Sequence, residues 1–145
     1  MKSLQYPIEL EPDEDGHMVV SFPDFPEALT GAKGMDDIIY QATDCLEEVL
    51  FQRLRNKESI PTPSPAKGRM VISPPTLIAT KVILTQAIQE KGITKAELGR
   101  RLGAYDQEIA RIFDPNHATK ITRMEEALAA VGQRMTIIFN EVESV

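Results

Sequence analysis

The segment from Lys95 to Asp114, KAELGRRLGAYDQEIARIFD, restricts the possible fold of this chain more than any other segment. Its apolar positions recur at helical spacing on both sides of a turn: Leu98, Leu102, Ala104, Ile109 and Ile112. Gly99 is small enough for a second helix to cross closely, and Gly103 lies where a turn needs a left-handed backbone. The spacing predicts a helix-turn-helix, whose second helix can enter the major groove of DNA.

Positive charge is concentrated around this segment, although the chain as a whole is acidic. Residues 91–123 contain seven Lys/Arg and four Asp/Glu, a net of +3, whereas the whole chain carries −6. A local basic patch is the electrostatic mark of a nucleic-acid ligand, so it favours DNA binding over a plain helical hairpin. The residues predicted to contact DNA are Lys95, Asp106, Gln107, Arg111, His117, Thr119 and Lys120.

These residues are expected to have different roles. Gln107 and Arg111 occupy outward positions on the second helix and carry the groups that read adenine and guanine. Asp106 beside them either selects against wrong sites or faces solvent. Contacts to the DNA backbone are assigned to Lys95, Thr119 and Lys120. For His117, a surface-loop histidine and a further phosphate contact remain equally open.

The first half of the chain has the pattern of a small antiparallel sheet and a covering helix. Three strands are predicted, over residues 6–11, 17–22 and 28–33. The segment Pro23 to Pro26 interrupts the sheet, and helical spacing over residues 35–55 predicts an amphipathic helix on one face. A returning strand at 69–73 completes a first domain, which spans residues 1–72.

The second half is predicted to be helical, and it spans residues 74–145. Prolines at 61, 63 and 65 before it favour an extended, semi-rigid spacer. Helices are expected over 76–91 and 121–131, on either side of the helix-turn-helix. A terminal strand is expected at Met135, Thr136, Ile137, Ile138 and Phe139. A lone strand needs a partner edge, so it either forms a homodimer or higher oligomer with a two-fold mate or packs back on its own domain.

Composition excludes several classes of protein. Residues 1–66 carry a net −8 and residues 67–145 a net +2, so the acidic half suits a basic protein rather than nucleic acid. No apolar run approaches the ~20 residues that cross a bilayer, and the N-terminus lacks a signal-peptide core. The single Cys45 falls on the apolar face of the predicted helix, where a core role is expected. A cytoplasmic protein fits these features best.

Chemistry is not expected from the titratable residues. Glu9 and Glu11 lie on the polar face of a strand, which more often faces solvent than binds catalytic metals. His17 and His117 fall in different domains without Cys or His neighbours, so no metal site is expected. No glycine-rich phosphate loop is present, and no cofactor is predicted.

Both halves of the chain resemble HicB antitoxins of bacterial toxin–antitoxin systems. In the first half the resemblance rests on YP at residues 6–7, GHMV at 16–19, FPDFP at 22–26, ALTG at 28–31 and IPTPSP at 60–65. In the second half it rests on KAELG at 95–99 and ATKI at 118–121, which are similar to the helix-turn-helix variant of the family. The resemblance covers nearly the whole chain.

The resemblance implies both a fold and a function. The first domain would have a partial ribonuclease H-like fold without ribonuclease activity, giving an α+β protein with an all-α second domain. It would bind and silence a HicA-like toxin, a small basic protein that cleaves messenger RNA. The second domain would bind operator DNA and autorepress the operon. The alternatives are a stand-alone repressor with a small-molecule-sensing first domain and a nuclease.

The toxin-binding residues are predicted from charge and stiffness. Opposite charge alone gives a salt-sensitive attraction, so an apolar anchor is needed as well. The segment with two prolines loses little conformational freedom on binding, and the residues assigned to it are Pro23, Asp24, Phe25, Pro26 and Leu29. For Phe25 and Leu29, a place in the core is an equally open expectation.

Overall fold

The computed structural model describes residues 2–141, which fall into two compact units with bounds Met1–Pro75 and Thr76–Val145. The elements of the first are β1 (Tyr6–Pro7), β2 (Glu9–Pro12), β3 (Met18–Phe22), β4 (Phe25–Ala32), α1 (Ile38–Arg55) and β5 (Val71–Ile72). Those of the second are α2 (Thr76–Lys91), α3 (Lys95–Leu102), α4 (Asp106–Phe113) and α5 (Ile121–Ala130). The predicted α+β class is confirmed.

The first unit is built on two antiparallel ladders. β2, β3 and β4 pair in that order, and β1 pairs with the returning strand β5. Leu10 lies opposite Val20, and Val20 lies opposite Thr30. α1 packs against β3 and β4 and buries its apolar stripe there. The core of the unit contains Tyr6, Ile8, Val20, Phe22, Phe25, Ala28, Ala32, Ile38, Ala42, Leu46, Val49, Leu50 and Ile72.

The third strand begins earlier than the sequence predicted. β4 starts at Phe25, so only Pro23 and Asp24 form the turn between β3 and β4. Pro26 is tolerated in β4 because this strand lies at the edge of its sheet, where one side of the backbone needs no ladder partner. The pairing register shifts between Ser21 and Phe22, which places the extra residues in a bulge.

The proline run is fastened to the first unit, which corrects its predicted role as a spacer. The Tyr6 hydroxyl donates to the Pro61 carbonyl at 2.7 Å, and the Ser64 amide donates to the Asp24 carboxylate at 2.9 Å. Arg69 then donates to the Pro65 carbonyl at 3.0 Å. Prolines keep residues 60–65 extended, and these bonds decide where the extended segment lies.

The second unit is a four-helix arrangement within residues 76–141. Its apolar core draws on every helix and contains Leu84, Ala87, Ile88, Leu98, Ile109, Ile112, Met124, Ala127, Leu128 and Val131. The hydroxyl of Thr94 caps α3 by accepting from the Glu97 amide at 3.0 Å. Gly103 ends α3 with φ 64°, the left-handed conformation that the sequence predicted.

Gly99 is the point of closest approach between α3 and the segment that follows it. A Cβ at this position would lie 3.1 Å from the Ala104 carbonyl oxygen and 3.5 Å from Ile109 Cγ1. The first distance is shorter than van der Waals contact allows without movement. An alanine here would require the Ala104 carbonyl to move by a few tenths of an ångström, so glycine favours the close packing that the sequence indicated.

The C-terminal segment forms no strand in the single chain, contrary to the prediction for residues 135–139. Within residues 76–141 the unit offers no sheet edge on which this segment could pair. Its apolar side chains are left in solvent, with Ile137, Ile138 and Phe139 exposed by 59%, 71% and 91%. The alternative in which the segment packs back into the core of its own domain is thereby contradicted.

Candidate functional sites

The outward face of α4 carries the predicted base-reading residues. Asp106, Gln107 and Arg111 are exposed, while Ile109 and Ile112 on the opposite side are buried. The eight residues of α4 have acidic side chains in the first turn and Arg111 in the last, as the helix dipole favours. An amide and a guanidinium one helical turn apart can each make bidentate bonds to a base edge.

Much of the positive charge around α4 is paired with acidic side chains. Arg100 and Arg101 both bond to Glu97, and these bonds hold the pKa of the Glu97 carboxyl below its usual value. Arg123 donates to Glu108 at 2.7 Å, and this bond raises the pKa of the Arg123 guanidinium. Three predicted DNA contacts have no ion pair among residues 2–141, namely Lys95, Arg111 and Lys120.

Lys95 occupies a defined place beside the end of α4. It is the first residue of α3, it is exposed, and its ammonium lies 4.9 Å from the centroid of the Phe113 ring. A cation over an aromatic face is held electrostatically without losing its access to water. The structure therefore brings Lys95 close to the helix that carries Arg111.

The loop from Asp114 to Lys120 divides the remaining predicted contacts. His117 and Lys120 are exposed, but Thr119 is only 8% exposed. The Thr119 hydroxyl lies 3.0 Å from His117 Nδ1 and accepts from Lys81 Nζ at 3.0 Å. Its side chain faces the interior, and not the surface where the sequence analysis placed it, because a buried ammonium needs oxygen acceptors.

Two exposed residues beside the predicted contacts were missed. Tyr105, at the N-cap of α4, is 87% exposed, and Ala110 lies on the outward face between Gln107 and Arg111. Recognition helices contact bases through their N-terminal residues, and a methyl group can contact thymine. The position of Tyr105 directly before the predicted helix was a signal available in the sequence.

The structure separates the five predicted toxin-binding residues into two groups. Phe25 is fully buried, with its ring centroid 4.8 Å from that of Tyr6, so it is a core residue. The Asp24 carboxylate is occupied by the amide and hydroxyl of Ser64, so it fastens the proline run. Pro23 and Pro26 are exposed, and Leu29 is exposed by 66%.

Leu29 lies on a face of the sheet that no helix of the first unit covers. Side chains alternate along each strand, so this outer sheet face consists of Glu9, Glu11, Val19, Ser21 and Leu29. Leu29 lies opposite Ser21, which in turn lies opposite Glu9. The face combines an exposed apolar side chain with carboxylates, and Glu9 also accepts from Arg69 at 3.2 Å.

A bidentate ion pair supports the edge of this sheet from the other side. Arg53 on α1 donates to both carboxylate oxygens of Glu27 at 2.7 and 2.8 Å and to the Ser59 carbonyl at 2.8 Å. The Arg53 bonds hold the pKa of the Glu27 carboxyl below its usual value. The guanidinium also lies 4.9 Å from the centroid of the Phe25 ring. Burial raises the pKa of the adjacent Tyr6 hydroxyl to about 12.

Similarity to known proteins extends over both units. Residues 5–83 match a family described as the HicB-like antitoxin of bacterial toxin–antitoxin systems. "Antitoxin HicB 1" of Photorhabdus laumondii is 36% identical over 137 residues, which cover 94% of this chain and 88% of the relative. "Antitoxin HicB" of Escherichia coli K12 is 37% identical over 136 residues, covering 93% and 99%. "Antitoxin HicB" of Pseudomonas fluorescens is 30% identical, covering 92% of each.

The chain belongs to the HicB-like antitoxin family. As an antitoxin it acts in a toxin–antitoxin pair, so its first implied partner is a toxin protein. The family points to a regulatory rather than an enzymatic role. Within residues 2–141, no three His, Cys, Asp or Glu side chains converge to hold a metal ion. No helix in the same range is long and apolar enough to cross a membrane.

Proposed function

We propose that this HicB-like antitoxin neutralises a HicA-like messenger-RNA-cleaving toxin and represses its own operon in the cytoplasm. Residues 1–72 would bind the toxin, and residues 74–145 would bind operator DNA. The observation that carries the proposal is the exposed Gln107 and Arg111 face of α4 beside unpaired cations, in a chain whose other half is strongly acidic.

DNA recognition is assigned to α4 and the residues around it. Gln107 and Arg111 read base edges, while Lys95, His117 and Lys120 contact phosphates and fix the register of the helix. Asp106 repels phosphate, so it either selects against wrong sites or faces solvent. Thr119 supports the loop from inside, because its hydroxyl is already bonded to Lys81 and His117.

The base-reading role is tested by comparing binding to the DNA upstream of this gene with binding to random DNA. Gln107→Ala and Arg111→Ala should each lose about 1–3 kcal/mol of discrimination. Lys120→Ala should instead weaken binding to both DNAs and reduce the salt dependence of the affinity. Glu125→Ala, an exposed change on α5, is the matched control. Equal losses on both DNAs for Gln107→Ala and Arg111→Ala would contradict base reading.

Toxin binding is assigned to the outer sheet face and the neighbouring exposed prolines, Pro23 and Pro26. Leu29 supplies the apolar anchor that charge alone cannot provide, and Glu9 and Glu11 supply complementarity to a basic partner. Phe25 and Asp24 act indirectly, by holding the strand that carries Leu29. An acidic face of this kind would cover the surface with which the toxin binds RNA.

Growth rescue during co-expression with the toxin tests this assignment. Leu29→Lys should abolish rescue, since it removes the anchor and places a cation against a basic partner. Tyr40→Lys makes the same charge change at a residue that is 71% exposed on α1. Rescue by Tyr40→Lys but not by Leu29→Lys is expected, and rescue by both would remove the outer sheet face as the toxin-binding site.

Dimerisation is assigned to residues 135–139. A helix-turn-helix alone offers little surface, and paired half-sites about 34 Å apart are the usual remedy. The segment is apolar, exposed and without a sheet partner in its own unit, so the same segment of a second copy can pair with it. Ile138→Asp should give a monomer in sedimentation experiments, whereas a dimer that persists would contradict this role.

We also infer that the protein has no nuclease activity of its own. The carboxylates of Glu9 and Glu11 lie on the face that we assign to toxin binding. Purified protein with magnesium or manganese should leave messenger RNA intact. Cleavage that is lost in Glu9→Ala would overturn this inference.

A further inference from the structure

The second unit contains a fully buried lysine on α2. Lys81 has 0% of its surface exposed, and its Nζ lies within hydrogen-bonding distance of four oxygen atoms. The distances are 3.1 Å to the Arg111 carbonyl, 2.6 Å to the Asp114 carbonyl, 3.0 Å to the His117 carbonyl and 3.0 Å to the Thr119 hydroxyl. A buried ammonium without such acceptors would be strongly unfavourable, so this group is compensated by its site.

The four acceptors belong to two parts of the predicted DNA-binding surface. Arg111 and Asp114 provide carbonyls at the C-terminal end of α4, where the helix dipole is negative, and these carbonyls also accept from the Asp114 and His117 amides at 3.2 and 3.1 Å. His117 and Thr119 lie in the loop that follows. One ammonium therefore joins the end of the recognition helix to the loop that presents His117 and Lys120.

We propose that Lys81 is a positioning residue for DNA binding, which fixes the end of α4 and residues 114–120 in one arrangement. The proposal rests on the operator binding proposed above. Lys81 is too deeply buried to touch DNA, so it acts through Arg111, His117 and Lys120. Without the ammonium, only the local amide bonds of the turn and the longer bond from the Thr119 hydroxyl to the Arg111 carbonyl, at 3.4 Å, would hold the loop, and the phosphate-binding residues would lose their common register.

The charge of Lys81 matters more to this role than the volume of its side chain. Methionine has a similar length and fills the same space, yet it donates no hydrogen bond. Removing the ammonium leaves its four oxygens one donor short, which costs stability, so operator binding is measured at a temperature at which Lys81→Met is folded. A loss of operator affinity in folded Lys81→Met is what a role in stability alone would not produce.

The same helix offers a matched control. Lys91, ten residues further along α2, donates from its Nζ to the Val131 carbonyl at the end of α5. Lys91→Met thus removes a cation that caps a different helix, outside the surface formed by α4 and its following loop. Burial lowers the pKa of the Lys81 ammonium to about 8, so a pH profile can also report on its charge.

The experiment uses the full-length protein and the DNA upstream of its gene. Lys81→Met should weaken operator binding about tenfold or more and reduce the preference over random DNA, because phosphate contacts set the register for base contacts. Lys91→Met should stay within about twofold of the unchanged protein. Lys81→Arg, which keeps the charge and donors, should recover part of the loss. Operator binding by Lys81→Met at the unchanged affinity would overturn the proposal.

Amide hydrogen exchange separates this proposal from operator binding itself. Lys81→Met should speed exchange at residues 114–120 and leave residues 131–133 unchanged, whether or not the DNA upstream of the gene is the operator. If Lys81→Met leaves amide exchange at residues 114–120 as it was, Lys81 does not position this loop and the proposal is refuted. If exchange becomes faster but the wild-type protein does not bind the operator, only the proposed function is refuted.

A pH profile covers the case in which Lys81→Met does not fold. The unchanged protein should lose operator affinity above pH 8, relative to Lys81→Arg, as the ammonium loses its proton. The pH at which the Lys81 ammonium loses its proton is read from its NMR signal, and parallel affinity profiles for these two proteins across that pH would overturn the proposal.

Discussion

The two units fasten an irregular segment in different ways. In the first, three side chains hold residues 59–64. Tyr6 and Arg53 donate to the carbonyls of Pro61 and Ser59, and the Asp24 carboxylate accepts from the Ser64 amide. In the second, one buried ammonium binds four oxygens at the end of α4 and in the following loop, where local bonds also act, such as that from the His117 amide to the Asp114 carbonyl. Several side chains distant in sequence hold the segment in the first unit, whereas in the second all four bonds from α2 depend on one ammonium.

The two units should therefore respond differently to the loss of one anchoring side chain. Loss of one anchor in the first unit leaves two others, so we expect a graded response as long as the core beneath them is intact. Loss of Lys81 removes all four hydrogen bonds of its ammonium at once.

Phe25→Ala should have the largest effect, a loss of about 3–5 kcal/mol in the free energy of unfolding, because it opens a large cavity in the core. Two anchors rest on this ring, since Tyr6 lies 4.8 Å and Arg53 4.9 Å from its centroid. Chemical denaturation measures the loss. Leu29→Ala on the same strand, at an exposed site, should cost less than about 0.5 kcal/mol. Similar losses for both variants would show that Phe25 is not central.

Gly99→Ala should cost about 1–3 kcal/mol and weaken operator binding, because the new methyl group would overpack the α3 crossing. The nearest atom to the added Cβ is the Ala104 carbonyl oxygen at 3.1 Å, which is backbone and cannot easily move. Gly31→Ala is the control, since its Cβ would meet Met18 O only at 3.8 Å. Thermal unfolding and DNA titration of both variants check this, and a stable Gly99→Ala would contradict the close crossing.

Asp24→Ala should lower the free energy of unfolding by about 1–3 kcal/mol, because the Ser64 amide and hydroxyl lose their acceptor and are left partly buried. Toxin rescue should nevertheless survive, because Tyr6 and Arg53 still hold the segment. Complete loss of rescue, without unfolding, would show that the anchors are not shared and that Asp24 itself contacts the toxin.

Glu27→Gln should have the smallest effect, a loss of at most about 1 kcal/mol at pH 7, since the pair with Arg53 is partly exposed and screened. The pKa of Glu27 is lowered in the folded protein, so its stabilisation is present above the unfolded pKa and is lost as pH falls through the folded one. Denaturation at neutral and acidic pH should show that the stability difference between the wild-type protein and Glu27→Gln vanishes at acidic pH. Glu47→Gln, at an exposed position on α1, is the matched control.

The helical part of the recognition surface followed from periodicity. Over the eight residues of α4, the positions of Ile109 and Ile112 determine which side is buried, so the exposure of Gln107 and Arg111 could be predicted. The segment from Pro23 to Pro26 had no such periodicity. A bulge and an edge strand there left the direction of Phe25 to the tertiary structure.

The kinds of element, the family and the uneven distribution of charge could be read from the sequence, because these depend on residues close together in the chain or on composition. The tertiary structure was needed to show that Phe25 lies in the core, that Asp24 bonds to Ser64 forty residues later, and that Lys81 reaches Thr119 thirty-eight residues later. Such contacts depend on how packed elements meet, and a lysine in a helical pattern carries no sign that its ammonium will be enclosed by backbone oxygens.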